Sequence, residues 1–377
     1  MSSLAPVDVS GRCGRAFTAA SERFGIDALL VTSLNDIRWL TGFSGSTGVM
    51  VVRAGSSTLI TDGRYVHQAS EQLSNAGANV DVVLAKDSVD TLESISDAVR
   101  GSSKCGYDPN ELTVRQLQQY SASITSELIG VDGVIQHLRR IKSVPEQQRI
   151  SAASEIADRA LAHVEPLLTS ALTSDVTERD VRDELEMLMR RFGADGPSYE
   201  TIVATGVNSA LPHHRPTFAL LREGQSVVID VGALVDGYHS DMTRTYLLGD
   251  CDAELVRMHQ LVKEAQALGV RAVKAGVIAS EIDGACRDLF GQYGLGHEFS
   301  HGTGHGVGLQ IHEMPWLRKN ANEPLQVGEV VTVEPGLYRV GLGGVRIEDL
   351  VLVESTGCRV FTHSQKEHLC LRSPLTT

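Results

Sequence analysis

The chain has few cysteines and aromatics, no long apolar run and fewer basic than acidic residues, and each shortage excludes something. Its six cysteines among 377 residues (Cys13, Cys105, Cys251, Cys286, Cys358, Cys370) form no Cys-x-x-Cys pair. That argues against both a disulfide framework and a thiolate zinc site and leaves them as small buried hydrophobes. No apolar stretch approaches the length of a bilayer span, so no membrane contact is expected. The segment Met1-Ser-Ser-Leu-Ala-Pro-Val-Asp8 has neither a basic n-region nor an apolar h-region, which makes a cytoplasmic location the expectation. A net charge of -13 makes nucleic acid and anionic membrane surfaces improbable partners. An apolar share of 42% suits an ordinary globular protein, and the length leaves room for two domains.

What is present is a repeated acid. Gly224-Gln-Ser-Val-Val-Ile-Asp230-Val-Gly232 and Gly328-Glu-Val-Val-Thr-Val-Glu334-Pro-Gly336 lie about a hundred residues apart and share one pattern. In each, a glycine opens a β-branched run that reads as a buried strand, and an acid follows at the same offset before a turn glycine. A second acid stands on each return leg, Asp241 and Glu348. Carboxylates at the ends of apolar strands are costly to desolvate, so four placed in this way imply a cation.

The N-terminal third alternates short elements. Helices are expected over 16–24, 65–73, 91–99 and 113–121, and strands over 27–32, 48–53, 57–61, 80–85, 104–107 and 127–131. This is a small α/β domain, expected over residues 1–137. The basic run His137-Leu-Arg-Arg-Ile-Lys142 breaks the pattern, and a second domain is expected over 138–377. There a long helix runs to Leu168, and Thr177-Glu-Arg-Asp180 reads as a capping box opening a helix with Val181, Leu185, Leu188, Met189 and Phe192 on one face. Further helices fit 253–274 and 280–293, ended by Gly276 and Gly294. Strands fit 201–204, 226–231, 244–247, 330–334 and 346–353. The repeated acid placement makes this a pseudo-symmetric α+β unit with one site between its halves.

Eight of the 13 histidines lie between His213 and His312. In His301-Gly-Thr-Gly-His305-Gly-Val-Gly the two histidines have zincin spacing, but glutamate is absent from the second position and the alternating glycines exclude a metal-binding helix. Those glycines suit a backbone crowded around a ligand. No third glycine stands at the offset a dinucleotide loop needs. Asp230, Asp241, Glu334 and Glu348 carry four negative charges beside a neutral His305, and two divalent cations would balance them. Oxygen-rich donors with one nitrogen favour manganese or cobalt, with zinc or iron as alternatives.

In order and setting (Ile-Asp-Val-Gly, His-Ser-Asp-Met-Thr-Arg, Gly-Thr-Gly-His-Gly-Val-Gly, Val-Glu-Pro-Gly, Arg-Ile-Glu-Asp) these five residues resemble the pita-bread metallopeptidases of family M24. Trp39-Leu-Thr-Gly-Phe-Ser-Gly-Ser-Thr-Gly48 and Thr61-Asp-Gly-Arg-Tyr65 resemble the creatinase-type N-terminal domain of aminopeptidase P and prolidase. Nearly the whole chain is covered, and the subgroup is the Xaa-Pro peptidases.

The resemblance implies a pita-bread catalytic domain and two divalent metal ions, Mn2+ first, held by Asp230, Asp241, His305, Glu334 and Glu348. It implies that Glu334 is also the general base for a bridging water, and that His312 and His213 serve the scissile carbonyl and the substrate. His301 would line the pocket, and Arg346 would organise the metal-bound acids. His214 stands where many relatives have glycine and reads as structural or rim. Trp39 and Tyr65 read as core, with reach towards a neighbouring site as the alternative, and Tyr199 and Tyr238 as pocket-lining. The expected substrates are proline-containing peptides and the expected assembly a homodimer. Aminopeptidase P is preferred to prolidase, the dipeptidase, and a non-catalytic peptide-binding module is the remote alternative.

Overall fold

The computed structural model describes residues 4–367 and the backbone of Cys370–Leu371. The chain divides into two compact units, Met1–Arg139 and Arg140–Thr377. The first is built on a six-stranded mixed sheet in the spatial order Asp81–Leu84, Ser56–Thr61, Val49–Arg53, Ala28–Val31, Lys104–Tyr107, Glu127–Gly130. Every residue of Ala28–Val31 is buried, as a central strand of continuous apolar sequence requires. Trp39 lies in the helix Leu34–Thr41, which Gly42 ends in a left-handed conformation (φ 77°) with its N-H on the Arg38 carbonyl. Its ring is 5% exposed, with the Arg12 guanidinium 4.7 Å from its centroid. Tyr65 places its hydroxyl 2.7 Å from Ser46 Oγ.

Three cations of the basic run at residues 137–142 pair with acids, of which Asp36, Glu329 and Glu313 are buried. Arg139 pairs with Asp36 at 2.6 Å within the first unit. In the second, Arg140 meets Glu329 at 2.6 Å as well as Glu323, and Lys142 meets Glu313 at 2.8 Å.

The second unit opens with the helix Val144–Ser170, started by a capping box between Ser143 and Glu146 with proline in its first turn. Helix Glu178–Arg191 follows, also with a capping box, and buries Val181, Leu185, Leu188 and Met189. The repeated segments form equivalent antiparallel pairs in two sheets. Ser226–Asp230 pairs with Thr243–Leu248, with Asp230 opposite Thr243, and Val330–Val333 pairs with Asp349–Val353, with Val333 opposite Asp349. Helices Ala253–Ala272 and Ala279–Gln292 cover a core that includes Leu255, Val262, Cys286, Phe290, Val345 and Ile347. Each such side chain withdrawn from water contributes about 1.5–3 kcal/mol. His259 is buried on the first of these helices, with Nε2 3.1 Å from the Thr245 carbonyl.

Two strand expectations are corrected. The single strand over 346–353 is two, Gly343–Arg346 and Asp349–Val353, interrupted where Glu348 donates its N-H to the Thr243 carbonyl at 3.1 Å. The chain changes sheet there, because Gly343–Arg346 pairs with Gly336–Arg339 instead. The glycine-rich run also contains strands, Gly304–Gly306 and Glu313–Leu317. Among the described residues no helix is long and apolar enough to cross a membrane. Cys13, Cys105, Cys286 and Cys358 are free thiols, and burial pushes those of Cys105 and Cys286 up to about 12. Cys370 has no described side chain.

Candidate metal centre

Strand geometry delivers the four acids to one place. Asp230 ends its strand and Asp241 precedes the return strand, while Glu334 and Glu348 occupy the matching positions of the other half. All four line a cavity of about 470 Å³ within the second unit, together with His213, His214, His301, His305, His312, Tyr199 and Arg346. Donor atoms of Asp241, His305 and Glu348 all lie within 4.8 Å of one another. His305 Nδ1 is 3.0 Å from the Gly306 carbonyl, which holds the hydrogen on Nδ1 and leaves the Nε2 lone pair to the cavity. Nε2 is 3.4 Å from Glu334 Oε1 and 3.6 Å from Asp241 Oδ2.

Asp230 stands at the edge of that group. Its Oδ2 accepts from Arg346 Nη2 at 2.7 Å and its Oδ1 accepts from the Tyr199 hydroxyl, which also reaches Asp241. Thr243 Oγ1 donates to Glu348 Oε2 at 2.7 Å, and Thr332 Oγ1 to Glu334 Oε1 at 3.3 Å. Arg244 clamps the return limb, donating to the carbonyls of Thr243 and Glu348 and to the Asp349 carboxylate.

This arrangement carries too much negative charge for its burial. Withdrawal from water, then the neighbouring carboxylates, push the Asp241 and Glu348 carboxyls well above their ordinary range. Burial likewise raises Glu334, against the opposing pull of the Arg346 guanidinium. Burial lowers His301, His305 and His312, so these imidazoles are held neutral. Neutral Nε2 and crowded carboxylate oxygens are what hard and borderline divalent cations bind, so the donor set fits a metal centre.

Behind the acids runs a directed chain of hydrogen bonds. Arg346 donates to Asp230 and, from Nη1 at 2.9 Å, to the Tyr338 oxygen. The Tyr338 hydroxyl then donates to His301 Nε2 at 2.8 Å, since His301 Nδ1 faces the Gly302 carbonyl at 2.8 Å. His312 packs edge-on to His305, with centroids 4.4 Å apart.

Some expectations change here. Gly302 and Gly304 line the cavity, and the alternating glycines also answer to strand packing. A Cβ on Gly304 or Gly306 would meet the carbonyl oxygens of Thr332 or Met314 at 2.0 and 2.2 Å, and one on Gly308 would meet Glu313 Oε1 at 2.4 Å. They let neighbouring strands close on the histidine between them. Tyr238 does not line the cavity; it is buried, with its hydroxyl on Glu146 Oε1 at 2.8 Å. Tyr199 does. Sequence reading passed over Tyr338 and Thr243. For Tyr338 strand alternation was an available signal, because it shares a face with Gly336 in the strand Gly336–Arg339.

Comparison with known proteins bears directly on this constellation. Residues 148–355 match the metallopeptidase family M24, and residues 15–141 match the creatinase/prolidase N-terminal domain. The chain belongs to family M24. It is 33% identical to the Xaa-Pro dipeptidase of Pyrococcus horikoshii over 348 residues, 92% of this chain and 95% of that protein. The M24 chain superposes on a Bacillus anthracis Xaa-Pro dipeptidase with a TM-score of 0.89 at 37% identity, covering 96% of this chain and 99% of the other. An X-Pro aminopeptidase from Thermotoga maritima gives a TM-score of 0.84 at 30% identity, covering 95% and 99%. The pseudo-symmetric unit is thus the pita-bread catalytic domain of an M24 metallopeptidase.

Proposed function

We propose that this M24 enzyme is a dinuclear exopeptidase that hydrolyses the Xaa-Pro bond at peptide N-termini, in the manner of an aminopeptidase P. The observation that carries the reading is the convergence of Asp230, Asp241, His305, Glu334 and Glu348 on one cavity, with a neutral, tautomer-fixed imidazole among four carboxylates. These five would hold two divalent cations, manganese first on the oxygen-rich donor set. The metal pair, when bound, supplies Lewis acidity for the scissile carbonyl and an acidified water.

The protein's own groups do the rest. Glu334 Oε, 17% exposed at the cavity wall, takes the proton from the attacking water and passes it towards the leaving proline nitrogen. His213, exposed on the cavity side, holds the substrate, and His312 donates towards the oxyanion. Arg346 and Tyr338 fix Asp230 and His301. Proline has no N-H and a fixed φ, so a pocket shaped for its ring selects a bond that ordinary peptidases handle poorly.

A dipeptidase is the second reading, favoured by the names of the Pyrococcus and Bacillus relatives. Manganese-loaded protein should be offered an Xaa-Pro dipeptide beside an Xaa-Pro-Yaa tripeptide. Tripeptide cleavage supports the aminopeptidase, exclusive dipeptide cleavage assigns the dipeptidase, and turnover of neither rejects both.

A further inference from the structure

Glu178 is the first residue of its helix, a position that ordinarily faces solvent, yet it is completely buried. Its carboxylate collects donors from both limbs of the loop that carries His213. Oε1 accepts from Thr205 N-H at 2.9 Å and Asn208 Nδ2 at 3.0 Å, on the incoming limb. Oε2 accepts from Thr217 N-H at 2.8 Å and Thr217 Oγ1 at 2.7 Å, on the outgoing limb. The remaining donor is His214 Nε2 at 2.8 Å, from a side chain 9% exposed. Burying an anion at a helix start costs several kcal/mol unless its lone pairs are filled, and these five donors fill them. Although burial raises it, hydrogen bonds from Asn208, His214, Thr205 and Thr217 outweigh that and keep the carboxyl below its ordinary range, so it stays an acceptor.

We propose that Glu178 and His214 form a positioning pair that sets His213 in the substrate site. His214 is adjacent to His213 and donates to Glu178 through Nε2-H, so the imidazole anchors the loop from behind while His213 stays free on the cavity side. On the other side, the carbonyl of Pro212 accepts from Arg346 Nη1 at 3.3 Å. The two residues flanking His213 are therefore fastened to different elements, His214 to the helix and Pro212 to the arginine that holds Asp230. A glycine at 214 could not make the first of these bonds. His214 is thus a specificity-side positioning residue whose effect passes through its neighbour. This role rests on the substrate-side function proposed for His213.

The test compares wild type, His214→Ala, His214→Gln, His213→Ala and the double alanine variant, each metal-loaded. The amide nitrogen of Gln falls near the place of Nε2, so His214→Gln should retain most activity. His214→Ala should lose about 10- to 100-fold in kcat/KM, chiefly as raised KM, with unchanged metal content. The double variant should be no worse than His213→Ala, because one residue acts through the other. Hydrogen exchange of segment 211–215 should accelerate in His214→Ala and not in His214→Gln. Additive losses in the double variant, an unimpaired His214→Ala, or equal exchange in all proteins would each overturn the pairing. If the wild type cleaved no Xaa-Pro peptide, the proposed function would fall, and exchange alone would decide the pairing.

Discussion

Arg346 and Asp230, 116 residues apart in the chain, meet at 2.7 Å, so the return leg of one half of the catalytic unit is tied to the outgoing strand of the other. Arg346 is 4% exposed and Asp230 14%. The same guanidinium reaches Tyr338, Thr243 and the Pro212 carbonyl, so one cation links an acid, the hydroxyl that serves Glu348, and the loop that carries His213.

Removing that cation should therefore cost stability and activity together. Arg346→Ala leaves a largely buried carboxylate without its partner, at about 3–5 kcal/mol. Arg346→Lys keeps the charge but not the fork, and should recover stability more than turnover. Urea unfolding beside peptide hydrolysis separates the two; full activity in Arg346→Ala would contradict the assignment.

Glu334→Gln should lower kcat by about a hundredfold or more, because the amide can occupy the space but cannot accept the proton. The check is steady-state turnover at matched metal content. A loss that disappears on adding excess metal would show that Glu334 serves only as a ligand.

Metal uptake should release protons. In the metal-free protein Asp241 and Glu348 hold protons more tightly when folded than when unfolded, since burial and neighbouring acids raise both carboxyls. Their contribution to folding is therefore complete below the ordinary carboxyl values of 3.8 and 4.5 and is lost as pH rises towards the raised folded values. A divalent cation reverses the trend by displacing the protons. Melting temperature against pH, with chelator and with manganese, should show the two curves diverging as pH rises. Parallel curves would contradict the acid assignment.

Lys142→Met should destabilise the protein by about 3–5 kcal/mol, because Lys142 and Glu313 are 2% and 5% exposed and paired at 2.8 Å. Glu313 follows His312, so turnover should fall as well. Chemical denaturation measures the first effect, and an unchanged midpoint would show the pair to be dispensable.

Much of this site was legible in the sequence because its acids sit where strands end, and strand ends are marked by glycine and β-branched runs. Asp230 and Glu334 needed only that pattern, and Asp241 and Glu348 only the return leg. Tyr338 was not legible, because a tyrosine on a strand reads equally well as packing until its hydroxyl is seen between Arg346 and His301. In the sequence Glu178 is only a first-turn acid of the Thr177–Asp180 capping box; its burial depends on the distant 205–217 segment, whose Thr205 and Thr217 donate to it, beside the bridge of Thr177 to Leu220. The glycines at 304, 306 and 308 were recognisable as close approaches, but a sequence does not say what approaches. The helix Leu34–Thr41 has only eight residues, too short for its apolar spacing to stand out.

The proposed function is that two divalent cations held by these five residues drive Xaa-Pro hydrolysis. It is tested most directly by titrating verified metal-free protein with manganese while following cleavage of an Xaa-Pro-Yaa tripeptide. Activity should begin near zero and level off at two equivalents per chain; full turnover without metal would contradict the account.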